Sequence, residues 1–439
     1  MAHNMTHNIR HGTVHRFYPK ILAGHTSGSA CTEVAAGISH PPLQCKNQID
    51  VYVNVNSSLN YDSKQTRKNL PMNAPMNALE LELNYPMGDT LPEPGQTLDI
   101  APGIKWIRMS LPFALNHINL WLLRDEMDGP TGRVQGWTVV DCCISRDESK
   151  AQWQQIFDNE LEGLPILRVI CTHMHPDHIG LAQWLCERWT TATHQCRMWI
   201  SATDYGVARL ASVSPTGFGG GGYAAVFYAS HGLVNAGYIA DIKARTNYFT
   251  NLVPAVPRTF RRMMDGDIIT IGGRPWACIS GYGHAPEHIA LYCADVSGTP
   301  VLVGGDMMLP RISTNVSVHE NEPEANSLKQ FLDSIDKFKA LHADTLTLPA
   351  HGKPFTGLYR RIQQLHGHHA ERLAEVMHAC TGKPCSAADI VPIMFKRELD
   401  VHQMTFAMGE AVAHLHVPWL KGQLRRTLDA DGIYRFSAR

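Results

Sequence analysis

The segment that most constrains this chain is residues 172–178, Thr-His-Met-His-Pro-Asp-His, which holds three histidines and an aspartate within six positions. The apolar, β-branched residues 167–171 before it predict a buried strand, and residues 179–185 after it predict the start of a helix. The cluster therefore lies on a strand-to-helix turn, where α/β proteins usually place reactive groups. Packing alone explains such a density of polar ligands poorly.

The spacing inside this segment predicts metal binding. Side chains two positions apart on extended backbone point the same way, so His173 and His175 can share one ion. Asp177 and His178 would then face a second position. We predict that Asp177 also takes part in catalysis.

Three further candidate ligands follow predicted strands later in the chain. Each lies next to glycine at the end of an apolar run, and strand ends are where α/β sheets build their sites. These ligands are His284, Asp306 and His351.

Seven candidate ligands without a cysteine favour two divalent ions, zinc first and iron or manganese as alternatives. One ion would bind His173, His175 and His284, and the other Asp177, His178 and His351. The two oxygens of Asp306 can bridge them. Two cations about 4 Å apart can hold a shared hydroxide that attacks a carbonyl or phosphoryl group.

Composition excludes some partners. The chain has 439 residues and a net charge of −1, which gives no electrostatic argument for a nucleic acid or a membrane surface. No apolar segment is long enough to span a membrane. Eleven cysteines without a C-x-x-C pair indicate reduced thiols, so we expect a cytoplasmic protein.

Residues 1–75 are sparsely charged and lack a sustained period, which predicts a disordered leader. Histidines recur there every four positions, and on a helix they would form a metal-binding stripe. They are His3, His7, His11 and His15.

Residues 76–358 are predicted to form the hydrolase domain, with a helical cap inserted at about 203–262. The Gly-rich run in the cap lacks the lysine of a phosphate-binding loop and predicts a hinge instead. Aromatic and histidine side chains of the cap either line a substrate pocket or form the core of the cap. The pocket candidates are Tyr223, Phe227 and His231.

Residues 359–439 predict a separate unit of three helices and a hairpin, an order similar to a winged helix. Such units bind DNA, pack, or dimerise, so a homodimer is possible. The basic residues Lys421, Arg425 and Arg426 are followed at once by Asp429 and Asp431, a pattern typical of solvated surface.

The motifs together resemble the metallo-β-lactamase superfamily over residues 79–358. The matching runs are T-H-x-H-x-D-H-x-G at 172–180, G-H-x-P-x-H at 283–288, G-D at 305–306 and P-A-H-G at 349–352. The resemblance implies an α+β fold, a four-layer αββα sandwich, and seven ligands shared with glyoxalase II-type thioesterases. A winged-helix tail occurs in one branch, which also contains an endoribonuclease.

The chain departs from the superfamily pattern at a few positions. The commonest zinc β-lactamases have cysteine where Asp306 stands, which disfavours antibiotic hydrolysis. Asp141-Cys142-Cys143 replaces the usual Asp-Thr-Gly, although Asp141 keeps a role in orienting a ligand histidine. Glu287 replaces a glycine of glyoxalase II-like members, and His288 is expected to support the site rather than bind metal.

The sequence is compatible with three functions. The favoured one is a metal-dependent hydrolase of a small thioester, ester or lactone. The alternative is an endoribonuclease or phosphodiesterase whose C-terminal unit holds RNA, so a nucleic-acid partner is possible but not favoured. The third is a DNA-binding protein whose metal site acts as a sensor.

Overall fold

The computed structural model describes residues 78–129, 132–214 and 220–439. The predicted leader with its histidine stripe lies outside the described residues, as do Pro130 and two glycines of the predicted hinge, Gly217 and Gly219.

Seven strands form the first sheet in chain order. They are β1 Thr97–Ala101, β2 Ile104–Ser110, β3 His117–Gly129, β4 Gly132–Val140, β5 Ile166–Ile170, β6 Arg197–Ile200 and β7 Phe260–Arg262. Strands β1 to β4 pair antiparallel and β4 to β7 pair parallel. Strands β2, β3 and β4 form an antiparallel meander, whereas β1, β6 and β7 are short and only partly apolar.

The second sheet has five strands in the order β12-β11-β10-β9-β8. They are β8 Ile268–Ile271, β9 Arg274–Gly281, β10 His288–Val296, β11 Thr299–Gly305 and β12 Leu346–Pro349. Only the β11–β12 pair is parallel, because helix α8, Ser327–Asp336, lies in the crossover between those two strands.

The remaining helices flank the sheets or form the C-terminal part. They are α1 Asp147–Asn159, α2 Pro176–Ile179, α3 Ala182–Trp189, α4 Ala202–Val213, α5 Gly221–Ser230, α6 Ala236–Ala244, α7 Tyr248–Leu252, α9 Leu358–Gly382, α10 Ala387–Met394 and α11 Val401–Leu420. The helix predicted from residue 179 begins earlier, at Pro176, because proline is well suited to the first helical position.

Three hydrophobic cores separate the layers. Trp121 and Leu123 of β3 face the second sheet, whereas Leu120 and Leu122 face the helices over the first sheet. This alternation buries both faces of β3, as the two-residue period of a strand requires. The predicted αββα sandwich is confirmed.

The C-terminal part has the predicted order of three helices and a hairpin, β13 Leu424–Leu428 with β14 Tyr434–Ala438. Ser386 caps α10, forming a capping box with Asp389. These helices share one core with α5, α6 and α8, so the domain boundary near 358 stays a prediction, as does the winged-helix comparison. Within the described ranges, no helix is both long and apolar enough to span a bilayer.

Candidate metal centre

The local backbone places the ligand turn between the end of β5 and the start of α2. The buried strand β5 ends at Ile170, and His175 at the N-cap of α2 keeps extended backbone, φ −62° and ψ 147°. Gly180 lets the turn pack closely, because a Cβ there would lie 2.6 Å from the Cys143 carbonyl oxygen. The turn can therefore present its side chains without being drawn into the helix.

The structure brings the first predicted ligand set together. His173 Nε2 lies 2.9 Å from His175 Nδ1 and 3.2 Å from His284 Nε2. His284 Nε2 lies 3.1 Å from Asp306 Oδ2, and one ligand atom from each of the four residues lies within 4.8 Å of the others. Nitrogens bound tetrahedrally to one zinc ion are about 3.3 Å apart, so this set fits a divalent metal.

Asp177, His178 and His351 form the second set. Asp177 Oδ2 lies 3.7 Å from His178 Nε2 and 3.4 Å from His351 Nε2. Asp306 reaches this set too, with Oδ2 3.6 Å from His178 Nε2 and Oδ1 3.4 Å from His351 Nε2. A single carboxylate therefore faces both sets, which is the placement predicted for a bridging ligand.

Two buried atoms of the cluster lack a hydrogen-bond partner among the described residues. They are His178 Nε2 and Asp306 Oδ1. Buried polar atoms are nearly always paired, so both point to a ligand that completes the site. A divalent cation satisfies both atoms, since each offers a lone pair.

The ionisation states also suit a cation. Burial and the neighbouring imidazoles hold the pKa of His173 and His175 well below the usual value, so both rings are neutral. Burial opposes the ionised form of Asp177, yet His178 and His351 lower its pKa to about 2. Burial disfavours the charged forms of His178 and His351, yet the neighbouring carboxylates raise the pKa of both rings, so the second set attracts positive charge. A metal ion there would displace those protons, because neutral imidazoles and ionised carboxylates are the forms that bind metals.

Asp141 hydrogen-bonds to a member of the second set, the contact that its predicted orienting role requires. Asp141 Oδ2 accepts a hydrogen bond from His178 Nδ1 at 2.8 Å, and Oδ1 accepts one from the Thr172 amide at 2.8 Å. Asp141 and Cys143 have φ of 62° and 69°, the left-handed region that glycine prefers. Cys143 thus adopts a conformation that the usual glycine would favour, at a cost of about 1–3 kcal/mol per strained residue.

We expect Asp141→Ala to lower metal affinity and kcat/KM by about 10- to 100-fold, because His178 loses the acceptor that fixes its ring. Metal titration and steady-state kinetics measure both effects. Asp99→Ala, which removes an exposed carboxylate from β1, is the control and should match the parent protein. Parental affinity in Asp141→Ala would show that the carboxylate does not orient a ligand.

His288 supports the site by packing. It is fully buried, its ring centroid lies 5.1 Å from that of His173, and neither ring nitrogen has a hydrogen-bond partner among the described residues. Gly305 is required beside it, since a Cβ there would lie 2.2 Å from His288 Nε2. Glu287 points away toward α4, where it accepts a hydrogen bond from Thr203 Oγ1 at 2.8 Å.

Several groups that hold the ligands were not predicted from the sequence. Asp204 accepts from the Met174 amide at 2.8 Å and from the Glu287 amide at 2.6 Å, tying the two ligand loops together. Its signal was the capping pattern Ser201-x-x-Asp204 at the start of α4. The backbone oxygens of His117 and Asn315 accept from His351 Nδ1 and His284 Nδ1, and no side-chain pattern predicts them.

The three predicted substrate-binding residues do not gather at the cluster. Tyr223 is 81% exposed on α5. Phe227 and His231 are buried, and His231 packs between Phe227 and Tyr434 of the C-terminal hairpin. The substrate-binding role of Phe227 and His231 stays a prediction, and their burial against the C-terminal core favours the alternative. Phe227 and His231 fit the other prediction made for the cap, that its aromatic and histidine side chains form a core.

The αββα sandwich and the two ligand sets together define the class of protein, a metal-dependent hydrolase. The chain belongs to the metallo-beta-lactamase superfamily, whose family description matches residues 118–351. Residues 373–439 match a second protein family, the metallo-beta-lactamase-like C-terminal domain.

Known relatives agree with this assignment. A beta-lactamase domain protein from Burkholderia ambifaria is 50% identical, with a TM-score of 0.76 over 83% of this chain and 100% of that one. The probable metallo-hydrolase YqjP of Bacillus subtilis is 22% identical over 71% of this chain and 90% of its own length. A linear primary-alkylsulfatase of a Pseudomonas species is 27% identical over 51% of this chain, which spans 40% of that enzyme.

Proposed function

We propose that the chain is a dinuclear metal-dependent hydrolase of small carbonyl substrates, namely thioesters, esters or lactones, with zinc as the preferred metal. The observation that carries the proposal is the position of Asp306, whose two oxygens face both ligand sets at 3.1–3.6 Å. Two bound cations would lower the pKa of a shared water and stabilise negative charge on the attacked oxygen.

Different residues of the chain would bind the metals, supply negative charge and hold the ligand loops together. The first set, with His173, His175 and His284, and the second set, with Asp177, His178 and His351, fix two positions. Asp177 and Asp306 stay ionised, so they keep the centre attractive to cations and can accept a proton from water. Asp141 and Asp204 prevent the loops from relaxing apart, which preserves geometry that catalysis requires within a fraction of an ångström.

Two features favour a small substrate over RNA. The net charge of −1 provides no field for a polyanion. Arg426, the half-buried member of the predicted basic run, pairs with Glu324 and lies 3.8 Å from the Trp419 ring centroid, so its charge is already engaged. The nuclease alternative therefore has no specific support from this surface.

A side-by-side assay tests the proposal. We expect the zinc-loaded full chain to hydrolyse acyl thioesters or lactones with a kcat/KM at least about 100-fold above that on single-stranded RNA or dodecyl sulfate. The alkyl sulfate is included because of the Pseudomonas relative. Turnover of RNA or the sulfate alone would overturn the carbonyl assignment and leave the metal centre standing.

A further inference from the structure

Arg245, at the end of α6, is a cation without an acidic partner among the described residues. Its Nη2 donates to His402 Nδ1 at 2.8 Å, its Nη1 donates to Thr405 Oγ1 at 3.4 Å, and its guanidinium lies 3.9 Å from the centroid of the Tyr248 ring. All of these partners are neutral. No described carboxylate within ion-pair distance therefore compensates the charge of this half-buried side chain.

The hydrogen-bond inventory leaves donors for a ligand. A guanidinium carries five N–H groups in a fixed fork, and the contacts named above use two of them. Because His402 Nδ1 accepts from Arg245, its Nε2 carries the proton and is a further donor. Burial and Arg245 lower the pKa of His402 to about 4, so the ring is neutral at pH 7.

The segment that follows Arg245 in the chain packs against the helix that carries two candidate ligands. Helix α7, which begins at Tyr248, packs against α2, the helix that carries Asp177 and His178. Burial raises the pKa of Tyr248 to about 12, and the negative charge of Asp177 adds to the effect. The packing of α7 on α2 places Tyr248, and with it Arg245, on the side of the centre that carries Asp177.

Helix α11 connects the same group to the other ligand set. His402, Phe406 and Glu410 are spaced four residues apart on one face. Glu410 accepts from Asn315 Nδ2 at 3.3 Å, and the Asn315 backbone oxygen holds His284 Nδ1 at 2.8 Å. His402 and Glu410 lie eight residues apart, which is on the order of 12 Å along the helix. The part of α11 that contacts Arg245 is therefore separated by this distance from the part that supports His284.

The structure assigns to Arg245, with Tyr248 and His402, an anion-binding subsite that selects substrates carrying a carboxylate on the order of 10 Å from the hydrolysed bond. The fork of a guanidinium matches a carboxylate with two parallel hydrogen bonds. One uncompensated positive charge suits a monoanion better than a phosphate dianion. Phe113, whose ring stacks on His402 at 5.6 Å, offers apolar surface for the intervening chain. This inference rests on the proposed carbonyl hydrolase.

Equilibrium binding tests the subsite without turnover. Suberate and octanoate have equal length, and suberate alone carries a second carboxylate. We expect the zinc-loaded full chain to bind suberate about 10- to 100-fold more tightly by titration calorimetry. Arg245→Gln should abolish that preference, and Arg245→Lys should keep part of it. Lys243→Gln removes an exposed charge from the same helix and should keep the full preference. Equal affinity for both ligands in the parent protein would overturn the subsite.

Kinetics separate this inference from the proposed function. The ratio of kcat/KM for the 4-nitrophenyl monoester of suberate to that for 4-nitrophenyl octanoate should fall about 10- to 100-fold in Arg245→Gln, mainly through KM. An unchanged ratio, or equal losses on both esters with a lower Tm, would identify Arg245 as a structural strut. If neither ester is hydrolysed by the parent protein, the carbonyl assignment fails while the suberate titration still decides the subsite.

Discussion

Replacing Asp306 with alanine is expected to lower kcat/KM by about three orders of magnitude. Among the residues that the structure describes, Asp306 is the one carboxylate that reaches both ligand sets, so its loss removes a ligand from each position. Metal centres supply several kcal/mol to the transition state, and about 1.4 kcal/mol corresponds to each tenfold change in rate. Steady-state kinetics on the best substrate of the assay panel measures the effect, with metal content determined on the same sample.

Asp344→Ala is the matched control, because it removes an exposed carboxylate just before β12. It should retain parental kcat/KM and metal content. Far-ultraviolet circular dichroism should show that Asp306→Ala keeps its secondary structure, since the three hydrophobic cores do not include this residue. Parental turnover by Asp306→Ala would refute the bridging role and with it the dinuclear mechanism.

The ligand sets were predictable because metal chemistry leaves a local signal in the sequence. His173, His175, Asp177 and His178 lie within one turn, and spacing alone indicates that they share a site. His284, Asp306 and His351 each follow a buried strand beside glycine. Since neighbouring strands end at the same edge, separate segments converge there, and the structure brings all seven together.

The supports of the site were less predictable because they depend on tertiary packing. The carbonyl oxygens of His117 and Asn315 hold His351 and His284, and every residue offers such an oxygen. Phe227 and His231 are the opposite case, because their residue types suggest a role that the packing then decides. Their residue types suit a pocket wall, but which side α5 presents to the C-terminal core is decided by packing between distant segments.

The C-terminal helix α11 contacts both a support of the metal centre and Arg245, although the sequence predicted a separate C-terminal unit. Its residue Glu410 supports His284 through Asn315, and two turns earlier His402 meets Arg245. A unit predicted to hold nucleic acid or a second copy thus contributes a residue, Glu410, that supports a candidate ligand through Asn315. We expect substrate selection to depend on this helix, because it borders the metal centre and the proposed subsite alike.

Removing the metals should inactivate the protein and destabilise it. We expect about two divalent ions per chain, and dialysis against a chelator should lower kcat/KM by about 1,000-fold or more, with recovery on adding zinc. Ions that bind only the folded state stabilise it by mass action, so Tm should fall on the order of 5–10 °C. Asp306→Ala serves as the internal comparison: its Tm should respond less to the chelator, because two ligand sets that share no carboxylate bind ions more weakly. Full activity in a preparation with less than about 0.1 ion per chain would exclude metal catalysis, and an equal fall of Tm in both proteins would place the stabilising ions elsewhere.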